Sequence, residues 1–370
     1  MRRLLISSVA VMAMLSAAPV LAHVQEPAQP AAAEAHSEDA RLNAFFEEAF
    51  QARIALSPQT MTSLGIKTDQ DRLDDVSDAA AERALALQEA QLARMKAEFD
   101  PEKLGPQAKV SWRMFEYGVE QARLSNRWRD WGFQFAANGN PTTSLPVFMI
   151  NNHRIASVED AEAYVARLSD AERQMGQVAE ELRQRAAAGV VSPRFVFEPS
   201  IENTRNVISG APFDDGADNP VWADFQKKVG ALETEQATKD RLLASAREAL
   251  TGPYKQGFET VLTALAEVQP MADSDAGVWR LPQGEAYYNA RLQLSTTTDL
   301  TADQIHQIGL GEVARLQGEM QTIMTRVGFT GSLQEFFTLL KTDPRFQYPN
   351  TPEGKEQYLT DARAFIAGVM

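Results

Sequence analysis

Residues 284–320 read GEAYYNARLQLSTTTDLTADQIHQIGLGEVARLQGEM, and the second half of that stretch decides what kind of chain this is. Thr301-Ala302-Asp303-Gln304 has the spacing of a capping box, in which the threonine hydroxyl accepts from the amide three residues on while the glutamine side chain reaches back. Asp299 and Asp303 flank the positive end of the helix that follows, where a carboxylate gains about 0.3–1 kcal/mol. Ile305, Ile308, Val313, Leu316, Met320 and Ile323 then recur at helical spacing and predict one buried face. Helix initiation alone accounts for the Thr-Asp-Gln section.

The same 3.6-residue period runs outward in both directions. Leu42, Phe45, Phe46, Ala49, Phe50 and Ile54 mark a helix over 40–56, Ser57-Pro58 starts another, and Gly65 stops it. Leu85, Leu92, Met95 and Phe99 mark residues 77–99, and Val110, Met114, Tyr117, Val119 and Leu124 mark 106–130. Ser157-Val-Glu-Asp opens a helix reaching about Ala188, and further helices fall at 220–230, 232–250 and 253–268. Two sections break the pattern: 131–153, with Asn-Gly-Asn-Pro and a second proline, and 189–219, with three prolines, a fourth at Pro220 and a short strand expected at Phe195–Phe197. The expected fold is therefore all-α, a multi-helix lobe with two irregular loop sections and no repeat of fixed period.

The two ends carry their own signals. MRRLLISSVAVMAMLSAAPVLA combines two arginines, an apolar run and small residues at Val20-Leu21-Ala22, so residues 1–22 read as a signal peptide. The A/E/Q/P-rich stretch 23–39 reads as a disordered leader and 40–370 as the helical domain. The chain has no cysteine, which removes both a disulfide framework and a thiol for lipid attachment. These features point to export, with the periplasm as destination and no membrane contact after signal cleavage. Formal charge is −14, and losing Arg2 and Arg3 takes it to −16, a balance that repels nucleic acid and anionic lipid. At the other end, Thr351-Pro352 starts a helix whose apolar stripe, Tyr358, Leu359, Ala362, Phe365, Ile366, Val369 and Met370, is still running at the last residue. That unfinished stripe predicts a chain shorter than its natural whole and a sticky C-terminal surface.

Chemistry-bearing motifs are sparse. HExxH is absent; His23 and His36 fall in the leader, and His153 and His306 have no partner at metal spacing. His306 reads as a hydrogen-bonded residue early in its helix and His153 as a loop residue. The chain also lacks a G-x-S-x-G elbow and a glycine-rich phosphate loop preceded by a strand. Arg123, Arg127 and Arg129 beside Trp128 and Trp131 read as arginines packed at a helix end, and Glu47-Glu48, Asp74-Asp75 and Asp214-Asp215 as solvated faces. Tyr287 and Tyr288, with Arg291 one turn on, are either a core-and-rim pair or donors to a substrate carbonyl.

NAFFEEAFQARIALSPQTMTSLG, SVEDAEAYVARL, the GVVSPR step and above all residues 284–320 resemble the bacterial DUF885 family from about residue 40 onward. That family is similar to the mainly helical zinc peptidases that carry an HExxH helix in a long C-terminal part. The resemblance implies a zinc metallopeptidase (a hydrolase) acting on short peptides, with a zinc-bound water as attacking group. It places the present chain in the N-terminal wall and lid of the cleft, with Tyr287, Tyr288 and Arg291 as substrate-cleft contacts. No catalytic residue and no metal ligand carries over to any position of this chain, so zinc is expected only for the longer protein, and this fragment is expected to be inactive. The competing expectation is a non-catalytic periplasmic helical binding or scaffold protein.

Overall fold

The computed structural model describes residues 30–136 and 139–369, and it is helical throughout. In chain order the helices are α1 (Pro30–Ile54), α2 (Pro58–Ser63), α3 (Asp78–Glu98), α4 (Pro106–Arg127), α5 (Pro141–Asn151), α6 (Val158–Ala187) and α7 (Arg194–Val207). They continue with α8 (Pro220–Gly230), α9 (Gln236–Ala249), α10 (Lys255–Val268), α11 (Gly284–Thr296), α12 (Ala302–Arg326), α13 (Leu333–Thr342) and α14 (Pro352–Val369). Among the described residues the only β features are two isolated bridges, Ala136 with Gly139 and Ala211 with Asp218. The helices divide into two units, one reaching Ser274 and one from Asp275 onward.

The first unit is built around α6. Ser157 caps it with the full reciprocal box that the sequence predicts, Asp160 returning the bond. Tyr164, Leu168, Ala171, Met175, Val178, Ala179 and Leu182 recur along one side and are buried. Phe258, Val261, Ala264 and Leu265 of α10 pack into the same cluster, together with Phe197 of α7 and Phe225 of α8. The α6–α10 crossing is unusually close. A Cβ on Gly257 would sit 2.9 Å from both the Ala171 carbonyl oxygen and the Glu172 Cα, so only glycine lets the two backbones meet there. A smaller second core joins α1, α3 and α4, where Phe45 makes edge contacts with Phe99 and Phe115 at 5.7 Å each.

Both sections expected to be irregular contain a helix, α5 in one and α7 in the other, and Phe195–Phe197 is helical rather than a strand. The prolines that argued against helix are accommodated. Pro141 occupies the first helical turn, where its missing N–H costs nothing, and the Asn140 side chain caps the Thr142 amide. Pro146 and Pro199 do lie inside helices, and tertiary burial outweighs their cost: α5 buries Leu145 and Met149, α7 buries Val196, Phe197 and Ile201. Thr142 and Thr204 hydroxyls, 2.9 Å apart and buried, join the two helices. At the N-terminus α1 begins at Pro30, inside the stretch read as leader, as its alanine-rich composition favours. Asp39 from that stretch accepts from the Gly105 amide at 2.8 Å. The signal-peptide residues and 23–29 lie outside the described residues.

In the second unit the threonine run is a helix stop. Thr297 turns left-handed (φ 56°) after α11, the Thr298 amide donates to the Thr296 hydroxyl, and the Thr301–Gln304 capping box then starts α12. The predicted buried face of α12 is not buried. Ile308, Val313, Leu316 and Ile323 are 41–53% exposed, and Met324 is the residue of that helix that is fully covered. On α14 Tyr358, Phe365, Ile366 and Val369 are likewise exposed. The periodicity correctly located an amphipathic helix, but amphipathicity does not supply the surface that covers it.

Gly257→Ala should lower the urea midpoint of unfolding of the first unit by an amount corresponding to about 1–3 kcal/mol, because α6 and α10 must separate to admit the methyl group. A midpoint unchanged from the parent would show that the crossing is not as tight as described.

Candidate functional site

The residues singled out in the sequence lie on α11. Tyr287 is half-buried, while Tyr288 and Arg291 are exposed. Spacings of three and four bring both phenols to the same side of the helix as the guanidinium. The start of α11 is fixed by backbone crowding: a Cβ on Gly284 would lie 1.9 Å from the Val278 carbonyl oxygen. Just before it the Trp279 indole lies flat against Gly277 and donates to Asp275 at 3.2 Å, although the residue is 75% exposed. This arrangement offers aromatic surface, phenolic donors and a cation, which is chemistry for binding an extended polar chain.

His306 is exposed on α12 and makes no side-chain hydrogen bond among the described residues, so it is not the bonded helix-start residue that was expected. Among the described residues no group of three or more His, Cys, Asp or Glu side chains could hold a metal ion. The Arg/Trp segment is structural: Trp128 is buried against Trp131, Arg127 lies 5.5 Å above the Trp128 ring, and Arg123 pairs with Glu89.

The strongest concentration of buried polar groups lies in the first unit. His153 lies in the loop between α5 and α6, as expected, and is fully buried there. Arg167 of α6, also fully buried, places Nη1 3.0 Å from His153 Nδ1. A guanidinium can only donate, so Nδ1 is the acceptor and Nε2–H donates to the Asp160 carbonyl at 3.1 Å. The imidazole is thereby held neutral in a single tautomer. The other Arg167 donors go to the Arg72 carbonyl (2.8 Å), the Pro58 carbonyl (3.2 Å) and the Thr62 hydroxyl (2.7 Å), and its plane lies over the Phe148 ring. Arg167 contacts no carboxylate directly; it fastens three points of residues 58–72 to α6.

Neighbouring groups extend this fastening. Lys67 donates to both oxygens of the buried Asp160 carboxylate, at 2.7 and 2.8 Å. Arg173 reaches the Leu73 carbonyl and Asp170 accepts from the Leu73 amide. Asp74, read as part of a solvated pair, instead accepts from the Ser57 hydroxyl and the Gln59 amide, and Asp75 pairs with Arg83. Asp214 is likewise structural, accepting from the amides of Gly210 and Gly216. On the far side of His153, Lys228 of α8 donates to the carbonyls of Met149, Ile150 and His153 and pairs with Asp224 at 2.7 Å.

Burial pushes the His153 imidazole down to about 4, with the Arg167 cation adding to the effect. Burial likewise lowers Arg167 to about 10, far enough above neutrality to stay charged. For Asp160, burial opposes ionisation, but Lys67 and the amides of Ala156 and Ser157 outweigh it and hold the carboxyl below its ordinary range. A signal for this cluster existed in the sequence: Arg167 interrupts the apolar stripe Tyr164, Leu168, Ala171, a position where a charged residue needs a partner.

Arg167→Met should cost about 2–4 kcal/mol in urea unfolding, because the Pro58 and Arg72 carbonyls lose their donor in a buried site, and Arg167→Lys should restore only part of it. Stability should also fall in acid. Between its ordinary pKa of 6.5 and about 4, His153 takes a proton in the unfolded chain but not in the folded one. Its contribution, about 3 kcal/mol, is therefore complete above pH 6.5 and is lost as pH falls through 4. Urea midpoints measured from pH 7 to 4 should show that slope in the parent and not in His153→Gln.

Comparison with known proteins fits this helical description. No curated protein matches the sequence. A solved structure of a candidate lipoprotein from Colwellia psychrerythraea superposes with a TM-score of 0.76 at 20% identity, covering 90% of this chain and 59% of that one. A candidate lipoprotein of unknown function from Shewanella oneidensis superposes with a TM-score of 0.53 at 17% identity, covering 79% of this chain and 48% of that one. At such identities the likeness establishes the fold alone, and the chain spans only about half to three fifths of the length of these structures. The family model described as a bacterial protein of unknown function, DUF885, matches residues 58–370. Covering most of the sequence, that match shows that the chain belongs to the DUF885 family.

Proposed function

We propose that this chain is the helical, non-catalytic N-terminal portion of an exported zinc metallopeptidase acting on short peptides. In this reading it supplies a wall and lid to a site whose zinc and HExxH helix belong to further polypeptide. The observation that carries the reading is the uncovered apolar surface of the second unit. Ile308, Leu316 and Ile323 of α12, and Tyr358, Phe365, Ile366 and Val369 of α14, are exposed at helical spacing, along most of α12 and from Tyr358 onward in α14. Contiguous apolar surface of that kind marks a contact that has still to be made. The share of the Colwellia chain outside the match is large enough to make it. Tyr287, Tyr288 and Arg291 are then the groups that would hold a peptide by its carbonyls and carboxylate.

Export rests on the signal-like first 22 residues and on the lipoprotein description of both solved relatives. Since this chain has no cysteine, lipid attachment is not open to it, and the periplasm is the proposed location. No helix among the described residues is long and apolar enough to cross a membrane.

The test is hydrolysis of a mixed peptide library in the presence of zinc. The 370-residue chain should be inactive, and a protein extended through the downstream reading frame to an HExxH helix should cleave peptides in a chelator-sensitive way. In the extended protein, Arg291→Ala should raise KM several-fold with a smaller change in kcat. Chelator-sensitive cleavage by the 370-residue chain itself would overturn the proposal. The second reading, a periplasmic helical binding or scaffold protein, draws on the two closed cores of the first unit. It gains if a stop codon follows Met370 and the product is folded and monomeric.

A further inference from the structure

The buried cluster around His153 has the construction of a releasable fastening. Residues 57–76 leave α1 and return to α3 as a loop whose neck is closed by Asp74, through Ser57 and Gln59, and by Arg173 and Asp170 at Leu73. The body of that loop is held differently. Arg167 reaches it at Pro58, Thr62 and Arg72, and Lys67 of the loop reaches down to Asp160. Arg167 in turn is steadied by one acceptor that can be switched off, the Nδ1 lone pair of His153.

We propose that His153 is the acid-sensitive pin of a latch that holds α2 and the loop after it, residues 58–72, against α6, and that protonating it frees them while the helical body stays folded. The reason is geometric. A proton on Nδ1 sets an N–H against a guanidinium N–H at 3.0 Å and puts two cations in contact in a fully buried site. Among the described residues no carboxylate is hydrogen-bonded to the imidazole; that of Asp160 acts on it from a distance and more weakly than the Arg167 cation. The groups facing the imidazole are the Asp160 carbonyl and the Tyr164 ring of α6, Arg167 itself, and Lys228 of α8, which is already engaged with Asp224. The Asp160 carboxylate is occupied by Lys67 and two amides. Asp71, Asp74 and Asp170 act on Arg167 from a distance and strengthen its claim to remain charged. The cheapest relief is for the Arg167 head to leave, and with it go its bonds to Pro58, Thr62 and Arg72.

Movement follows the uneven anchoring. The Lys67–Asp160 pair survives mild acid, since Asp160 keeps its charge below the usual carboxylate range, so the α2 end of the loop should lift first. A recess of about 360 Å³ lies beneath that end, lined by Thr62, Leu64, Lys67, Asn152, Arg154 and Asp160. Lifting α2 widens it. The latch rests on this geometry alone and is independent of any peptidase activity.

The absence of cysteine makes the test direct. Spin labels on Leu64→Cys, in the loop, and Ser169→Cys, on α6, both exposed positions, report their separation by pulsed electron spin resonance. Between pH 7 and 4 a longer distance should appear while the helical circular dichroism is retained, and the same pair in a His153→Gln background should stay at the short distance throughout. Carbon-13 resonances of the labelled histidines give the His153 titration in the parent protein, so the result does not depend on the variant folding. Labels that stay fixed down to pH 4, labels that move only as helicity is lost, or equal movement in the His153→Gln protein would each overturn the latch.

Discussion

The first unit depends on the contact between α6 and α10. Two helix backbones approach at Gly257 closely enough to exclude a single methyl group, which lets Met175 and its neighbours interlock with Phe258, Val261 and Leu265. Dispersion and apolar burial per residue are highest where backbones are nearest, so this crossing fixes the position of α6. The larger of the unit's two cores is referred to α6. Its apolar side receives α7, α8, α9 and α10, and its polar side receives residues 57–76 through Arg167, Asp170, Arg173 and Gln174.

That division of labour explains why a charged residue can sit among core positions. Burying Arg167 is unfavourable by itself, and the cost is offset because its donors meet two carbonyls, a hydroxyl and an imidazole nitrogen in fixed geometry. The arrangement specifies where the loop must lie more than it adds to stability. A hydrophobic residue at 167 would pack equally well against a loop in several registers, whereas the guanidinium fits one.

The second unit follows the opposite economy. Its helices are well formed locally: Thr301 and Ser332 each make a complete capping box, and Gly284 lets α11 start against Val278. Its apolar residues nevertheless face outward along α12 and α14. Local hydrogen bonding is enough to begin and end a helix, but it cannot cover a hydrophobic stripe. A unit of this kind is suited to packing against more polypeptide, which is the property the proposed role of the chain requires.

Much of this protein was legible from its residues because helix boundaries are set by partners three or four positions away. The boxes at Ser157 and Thr301, the proline starts at Pro58 and Pro352 and the all-α class belong to that local level. Prolines at 146 and 199 misled because their cost is local, while the burial of Met149 and Phe197 that outweighs it is not. Tyr287, Tyr288 and Arg291 could be placed on one helix by spacing, since side-by-side placement on a helix is also a local property. The cluster at His153 could not. Its members are joined across separations of 7 to 109 residues, from His153–Asp160 to Pro58–Arg167. An isolated histidine and an arginine inside an apolar stripe acquire a shared role only when the fold brings them within 3.0 Å in a buried site. Which apolar faces end up covered was settled at the same level, because burial is a property of two surfaces and the sequence of a helix describes one.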